Sequence, residues 1–327
     1  METSLSPRTV LVIAHQVGDR LLRDYACKSS RHDFTLPQLF ACLVVREFYG
    51  LSYRRTEGLF RDSTAWLEEI GLSVAPDHNT LWRAFSLILK TSRCQKMLDL
   101  FAADFKQMGL LKLSEKPLAM DSTCFEQRHR SQHYDRRCRK MEAKEEGKKA
   151  EKPGKWGVSV NKTRRRKVSR LPKLALAVAS SCHLILAMKV RLGNGSDAPD
   201  FKPLLEQSRQ RAGVKTAVAD SGYDSEENHR ISREDNGVRS IIPPGIGRPT
   251  KKLPTGRWRR HTAKRFARKA DKKLYAQRSQ SETVHSMLKR NQSSALRSRT
   301  PQRQKQEMML RAITHNIALL CKAMEEG

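Results

Sequence analysis

Acidic residues are in short supply in this chain. Only 34 Asp+Glu stand against 64 Lys+Arg in 327 residues, a formal net charge of +30. That imbalance makes a polyanion the expected partner, because phosphates neutralised by protein cations release their counterions. Charge alone says no more than nucleic acid; a ribosome-associated protein would show the same total. Paired cysteines are missing too. The seven cysteines are odd in number and form no CxxC, which argues against a zinc site or disulfide framework and for reduced thiols. Long apolar runs are also absent. The longest uncharged stretch, 174–188, is too short to span a bilayer and is broken by Ser180, Ser181 and His183. The N-terminus lacks the basic, apolar and small-residue order of a signal peptide. The expectation is a cytoplasmic protein with no membrane partner.

What is present is unevenly placed. Residues 136–173 hold 16 basic and 4 acidic residues, and residues 248–273 hold 12 basic and 1 acidic. Residues 1–100 hold 13 basic and 11 acidic. The electrostatic grip therefore belongs to the second two-thirds of the chain.

The length suits about two domains. Residues from about 35 to 112 read as helical. Thr35 is placed as an N-cap with Pro37 in the first turn, Ser52 and Asp77 can cap two further helices, and Gly50 and Gly71 stop the ones before them. Short helices with tight turns suggest a helix-turn-helix reader with 77–85 as recognition helix, though a plain helical bundle fits the same pattern. From residue 113 the pattern changes. Strands are predicted over 117–120, 171–180, 183–190, 215–219 and 239–242, and helices over 200–211, 225–236, 271–290 and 304–324. The fold class is thus α/β: a helical N-terminal domain (1–112) followed by a mixed sheet flanked by helices (113–327). This order matches that of the ribonuclease-H-like fold, with the basic stretches near 127–170 and 244–274 as loops or insertions.

Asp121 and Asp220 each fall just past the predicted end of a strand. On adjacent strands they would project from one sheet edge, where ligands gather in open α/β sheets. Carboxylates that close repel unless a cation lies between them, so the pair wants Mg²⁺ or Mn²⁺. Glu282, from a helix, is the candidate third ligand in a cage for two ions that would drive an in-line displacement at phosphorus. The blander alternative is that such aspartates only cap turns.

Four positions narrow the choice: Tyr275, Arg278 three residues on, Glu282 after four more, and Lys289 after a further seven. This spacing resembles the Tyr-Arg-Glu-Lys signature of DDE transposases from bacterial and archaeal insertion sequences. Ala219-Asp220-Ser221-Gly222-Tyr223-Asp224 is similar to that family's second-aspartate motif, and Met120-Asp121-Ser122-Thr123 to its first. The stretches 51–57 and 76–80 are similar to its leading helical domain. The resemblance runs from about residue 35 onward. It implies a ribonuclease-H-like catalytic domain with Asp121, Asp220 and Glu282 as metal-binding triad. It also implies DNA partners (terminal inverted repeats and a target), nucleoid association and a homo-oligomeric synaptic complex. Only 62 residues separate Asp220 from Glu282, where some relatives carry a large β-domain.

On a single helix the four signature residues would share one face, so Tyr275, Arg278 and Lys289 are expected to hold DNA beside the ions. Trp156 and Trp258, each set among cations, are expected to meet DNA as well, the rival being solvated loops. Two other classes compete. A tyrosine recombinase would use His133 and Arg136 but lacks a tyrosine near the C-terminus of the chain, Tyr275 being the last. A non-enzymatic DNA-binding protein, or an inactive transposase copy, would keep the basic stretches without using the three carboxylates.

Overall fold

The computed structural model describes residues 5–29, 31–128, 171–193, 195–245 and 253–326. Its centre is a five-stranded mixed sheet. An apolar hairpin joins β3 (Pro172–Ala179) to β4 (Ile185–Leu192), and β3 pairs antiparallel with β1 (Leu118–Cys124). On its other side β1 runs parallel to β5 (Thr216–Ala219), which runs parallel to β6 (Arg239–Ile241). The order is β4-β3-β1-β5-β6. All eight residues of β3 are buried, which explains why Leu174–Ala179 is a continuous apolar run and not an alternating one; Lys173 at its start is paired with Asp197. A short strand β2 (Glu126–Gln127) extends β1 and pairs with β7 (Ala295–Leu296).

Helix α7 (Ala198–Arg211) crosses from β4 to β5 and α8 (Glu226–Arg230) from β5 to β6. Helices α9 (Arg257–Phe266) and α10 (Lys269–Ala276) follow, then α11 (Ser279–Gln292) and α12 (Pro301–Glu326). Strand alternation sorts the sheet's two faces. Leu118, Met120, Ala217 and Ala219 enter the main core, whereas Ala119 and Val218 pack with Ile241, Phe266, Leu274 and Tyr275 in a second cluster.

The N-terminal region is helical: α1 (Pro7–Asp19), α2 (Leu36–Phe48), α3 (Tyr53–Asp62), α4 (Thr64–Glu68), α5 (His78–Ile88) and α6 (Thr91–Gln107). Its boundaries follow local chemistry. Thr35 and Gln38 form a reciprocal capping box, Ser52 caps α3 and Asp77 caps α5. Gly50 and Gly71 adopt φ of 59° and 71°, the left-handed conformation that ends a helix cheaply only for glycine. Helix α5 buries Leu81, Ala84, Phe85 and Ile88 and leaves Asn79, Trp82 and Arg83 exposed. No helix among the described residues is long and apolar enough to cross a membrane.

Several elements differ from the sequence expectation. Helix α1 was not anticipated, although Ser6-Pro7 is a helix entry and Val10, Leu11, Ile13, Ala14 and Val17 bury one stripe. Asp121 lies inside β1, not past its end, because pairing with β3 continues to Cys124 after pairing with β5 stops at Met120. The 225–236 helix turns into a π-helical segment at Ile231–Asp235. Within the stretch read as a basic insertion, 257–266 is helical. The 271–290 helix is two helices, broken at Gln277 and Arg278. There the hydroxyls of Ser279 and Ser281 bond the carbonyls of Ala276 and Arg278, competing with the helical ladder.

Helix α12 runs through everything. Its apolar stripe packs on α1, α2, α6 and β4, so Leu11, Phe40, Phe101, Leu176 and Ile313 belong to one core. A fully buried guanidinium fixes its register. Arg311 bonds Glu47 of α2 and Glu307 of its own helix, each at 3.0 Å, and donates to the carbonyls of Ser293 and Ala295. Burial would push the Glu307 carboxyl up. Arg311 and the hydrogen bonds from Arg297 and Ser298 hold it below its ordinary value instead. Arg311→Met strips the cation, leaving buried Glu307 with only backbone N–H donors and buried Glu47 with Arg46 alone. It should cost about 3–5 kcal/mol in urea denaturation; a loss below about 1 kcal/mol would show that the network is dispensable.

Candidate active site

The parallel register sets the site. Met120 lies beside Ala219, and the next residues are Asp121 and Asp220, so the two carboxylates leave neighbouring strands at the same edge. By strand alternation they fall on the side of Ala119 and Val218, where Tyr275 packs. Beyond Asp220 the chain turns at once through Ser221–Tyr223, which prevents β5 from running on. The third carboxylate comes from α11. Glu282 occupies that helix's first turn, where the positive end of the helix dipole favours an anion, and Val284 and Leu288 anchor the helix in the core.

Arg278, just before α11, stands between two of the acids. Its guanidinium is 2.7 Å from Glu282 and 3.8 Å from Asp121. Tyr275 supports it from α10, with the ring centroid 5.8 Å from the guanidinium carbon. The Asp121 carboxyl is pushed up to about 6, first by burial and then by Asp220 and Glu282, against the opposing pull of the Ser122 N–H and Arg278. The three carboxylates thus form one electrostatic unit that a single guanidinium does not neutralise.

Among the described residues no three His, Cys, Asp or Glu side chains stand as a ready metal cage. The donor chemistry nevertheless fits a divalent cation. All three groups are hard carboxylate oxygens, the excess charge is negative, and Arg278 holds its place only through side-chain contacts. Arg278 alone does not balance Asp121, Asp220 and Glu282, and a cation beside them would relieve the remaining repulsion.

The other expected residues are placed as follows. Tyr275 lies in the last turn of α10 and is not on Glu282's helix, its ring packing edge-on against Phe266 at 5.0 Å. Lys289 lies further along α11, its ammonium 5.7 Å from the Phe125 ring. Trp258 is on α9. Its indole N–H donates to Glu234 at 2.6 Å and its ring lies near the guanidinium groups of Arg233 and Arg257. Trp156, and with it the basic loop beyond Arg128, lies outside the described residues.

Sequence reading gave no role to Asp224, which organises the loop after Asp220. One of its oxygens accepts from Arg259 (2.6 and 3.0 Å) and from the Gly245 N–H (2.7 Å), while the other lies 3.3 Å from His229. Glu226 accepts from the backbone N–H groups of Trp258 and Arg259, so it caps α9. The basic helix is therefore fastened to the loop that carries the second aspartate. Also unforeseen is a paired cluster at the start of α7. Asp197 pairs with Lys173 and Arg191, and buried Asp200 with Arg191 (2.7 Å) and Lys189 (3.2 Å). The legible signal was the acid-Pro-acid entry of α7, Asp197 to Asp200.

The family model of the transposase DDE domain matches residues 112–317, and that of the transposase domain DUF772 matches residues 6–87. No curated protein and no solved structure matches.

The raised Asp121 carboxyl has a consequence for stability. Its folded value, about 6, exceeds the ordinary 3.8, so the folded protein holds that proton more tightly than the unfolded chain. Stability should fall as pH rises between those values, with the whole penalty present above about 6. Asp121→Asn should therefore raise the thermal stability of the metal-free protein above neutral pH, by up to about 3 kcal/mol. The gain should fade towards pH 4 or so. Thermal unfolding across that range checks it, and an Asn variant less stable than the parent at alkaline pH would contradict it.

Proposed function

We propose, for a chain that belongs to the transposase DDE domain family, that it cuts DNA at transposon ends and joins the freed end to a target. The observation that carries this reading is the placement of Asp121 and Asp220 side by side where β1 and β5 stop pairing, with Glu282 of α11 acting on Asp121 and one guanidinium, Arg278, between Asp121 and Glu282. The strand order, with two antiparallel strands on one side of β1 and two parallel ones on the other, supports a ribonuclease-H-like catalytic domain over 113–327. The helical region 1–112 then serves as the leading DNA-contacting domain.

Asp121, Asp220 and Glu282 would together hold two Mg²⁺ or Mn²⁺ ions. Bound there, the ions supply activation of the attacking oxygen and stabilisation of the leaving one. The residues of the chain do the rest. Water attacks the phosphodiester at the element's end, the phosphorus–oxygen bond to the 3′ carbon's oxygen breaks, and a 3′-hydroxyl is released. That hydroxyl then attacks a target phosphodiester, so one bond forms for each one broken. Arg278 exchanges Glu282 and Asp121 for a phosphate oxygen, and Tyr275 keeps the guanidinium near the edge. Lys289 meets the backbone further along α11, and the cations around Trp258 hold flanking DNA. Cutting two ends together calls for more than one copy of the chain. Between Asp220 and Glu282 the described residues form short helices and one strand, with no large β-domain among them of the kind some relatives insert there.

Excision from a donor plasmid bearing the DNA ends that flank this gene tests the reading. Asp121→Asn, Asp220→Asn and Glu282→Gln should each lower excision at least ~100-fold while retaining DNA binding, and chelation of divalent ions should abolish it. Variants that excise like the parent would place the chemistry elsewhere. A parent that binds these ends without cutting under any divalent ion would favour a non-enzymatic binder or an inactive copy.

A further inference from the structure

A second basic feature lies away from the triad, between the helical region and the start of α12. It is a cleft of about 590 Å³ lined by Arg46, Arg128, Arg297, Arg299 and Arg303, with Tyr53 and the 48%-exposed Trp82. Among the described residues its lining contains no carboxylate. Five guanidiniums around one concavity repel one another, and an anion seated among them would relieve that repulsion.

The buried network beneath supplies part of the counter-charge and no more. Glu47 and Glu307 are taken by Arg311 and Arg46. Among the described residues Arg128, Arg297, Arg299 and Arg303 have no ion pair. Arg297 Nη1 and Arg46 Nε are buried without a hydrogen-bond partner there, an expensive condition for a cation. The concavity accepts Arg297 closely because Gly50 opposes it; a Cβ at that position would come within 3.2 Å of its Nη2. Trp82 and Arg303 make the other half of the site, with the guanidinium carbon 3.8 Å from the ring centroid.

We propose that this cleft takes one unpaired DNA nucleotide, its phosphate among Arg297, Arg299 and Arg303 and its base against Trp82. The proposal rests on the reading of the chain as a DNA-cutting transposase and adds a site to it. A concavity of this volume suits a ligand of nucleotide size, whereas a duplex cannot enter it. Guanidiniums beside an exposed aromatic face match a phosphate joined to an unstacked base. The cleft is also tied to the triad by continuous chain. From Asp121, β1 and β2 run directly to Arg128, seven residues spanning at most roughly 23 Å in extended form. Glu282's helix leads through β7 to Arg297, and β2 and β7 are hydrogen-bonded to each other. Lys289 stands beside Phe125 on that path. One DNA strand can therefore lie along Arg278, Lys289 and the cleft within about seven nucleotide steps at 3.4 Å each.

Fluorescence anisotropy with two labelled probes tests this, using a blunt duplex of the flanking end and the same duplex with a short single-stranded overhang. The parent should bind the overhang probe about tenfold more tightly, and Trp82→Ala and Arg299→Gln should each remove most of that preference, weakening overhang binding far more than blunt-duplex binding. Both side chains are exposed, so folding should be retained, and unchanged thermal unfolding verifies it. Equal binding of both probes by the parent, or equal loss on both probes in the variants, would overturn the nucleotide site and leave the transposase reading standing. A parent that binds neither probe would overturn both.

Discussion

A guanidinium with no exposure to water lies between two carboxylates equally hidden, and the geometry of the whole chain is referred to it. Arg311 is on the last helix, Glu47 on the second, and the carbonyls of Ser293 and Ala295 come from the connection after α11. Burying such charges gains little stability against an apolar core of equal volume. The gain is in placement: a planar fork accepts its partners in few directions, so α2, α12 and the 293–298 connection cannot slide past one another. Helix α11 leads directly into that connection. The position of Glu282 at the sheet edge is thus set from both ends, by Val284 and Leu288 in the core and by the anchored chain that follows.

Against this fixed frame the active-site edge is deliberately uncomfortable. Asp121 sits in a strand, partly buried, with two further acids acting on it and one arginine in partial compensation. Sites that must bind a cation and a polyanion together need surplus charge of both signs, which the rest of the fold must tolerate. Here the tolerance is local. Arg278 is shared between two acids, Asp197 and Asp200 are matched by Lys173, Lys189 and Arg191, and Asp224 and Glu226 are occupied by α9. Asp197, Asp200 and Asp224 are matched by neighbouring cations, while Asp121 and Glu282 share a single arginine.

What could be read in the sequence was whatever is decided by near neighbours. Thr35, Ser52 and Asp77 were legible as caps because a side-chain oxygen reaches only the next turn of backbone. Asp220 was legible as a strand-end acid because Ser221 and Gly222 stop the strand. The two-helix structure around Tyr275 and Arg278 was not, since two serine hydroxyls tip a balance that spacing alone leaves even. Asp121 was placed past its strand because the extension of β1 depends on β3, beyond a long stretch of chain. The Arg311–Glu47 pair joins residues 264 positions apart, and nothing local marks either as buried. Trp258 among arginines resembles a DNA-facing residue, and only the fold reveals Glu234 beneath its indole nitrogen.

The clamp at Asp224 bears on how chains of this design can vary. The Gly245 N–H and the Arg259 guanidinium are held by the same carboxylate oxygen, so the polypeptide between them leaves and returns at one point. For a loop with fixed ends, each doubling of length adds only about 0.6 kcal/mol of closure cost. A change of length between Gly245 and Arg259 would therefore cost little, and the contacts at Asp224 would still hold the loop that follows the second aspartate.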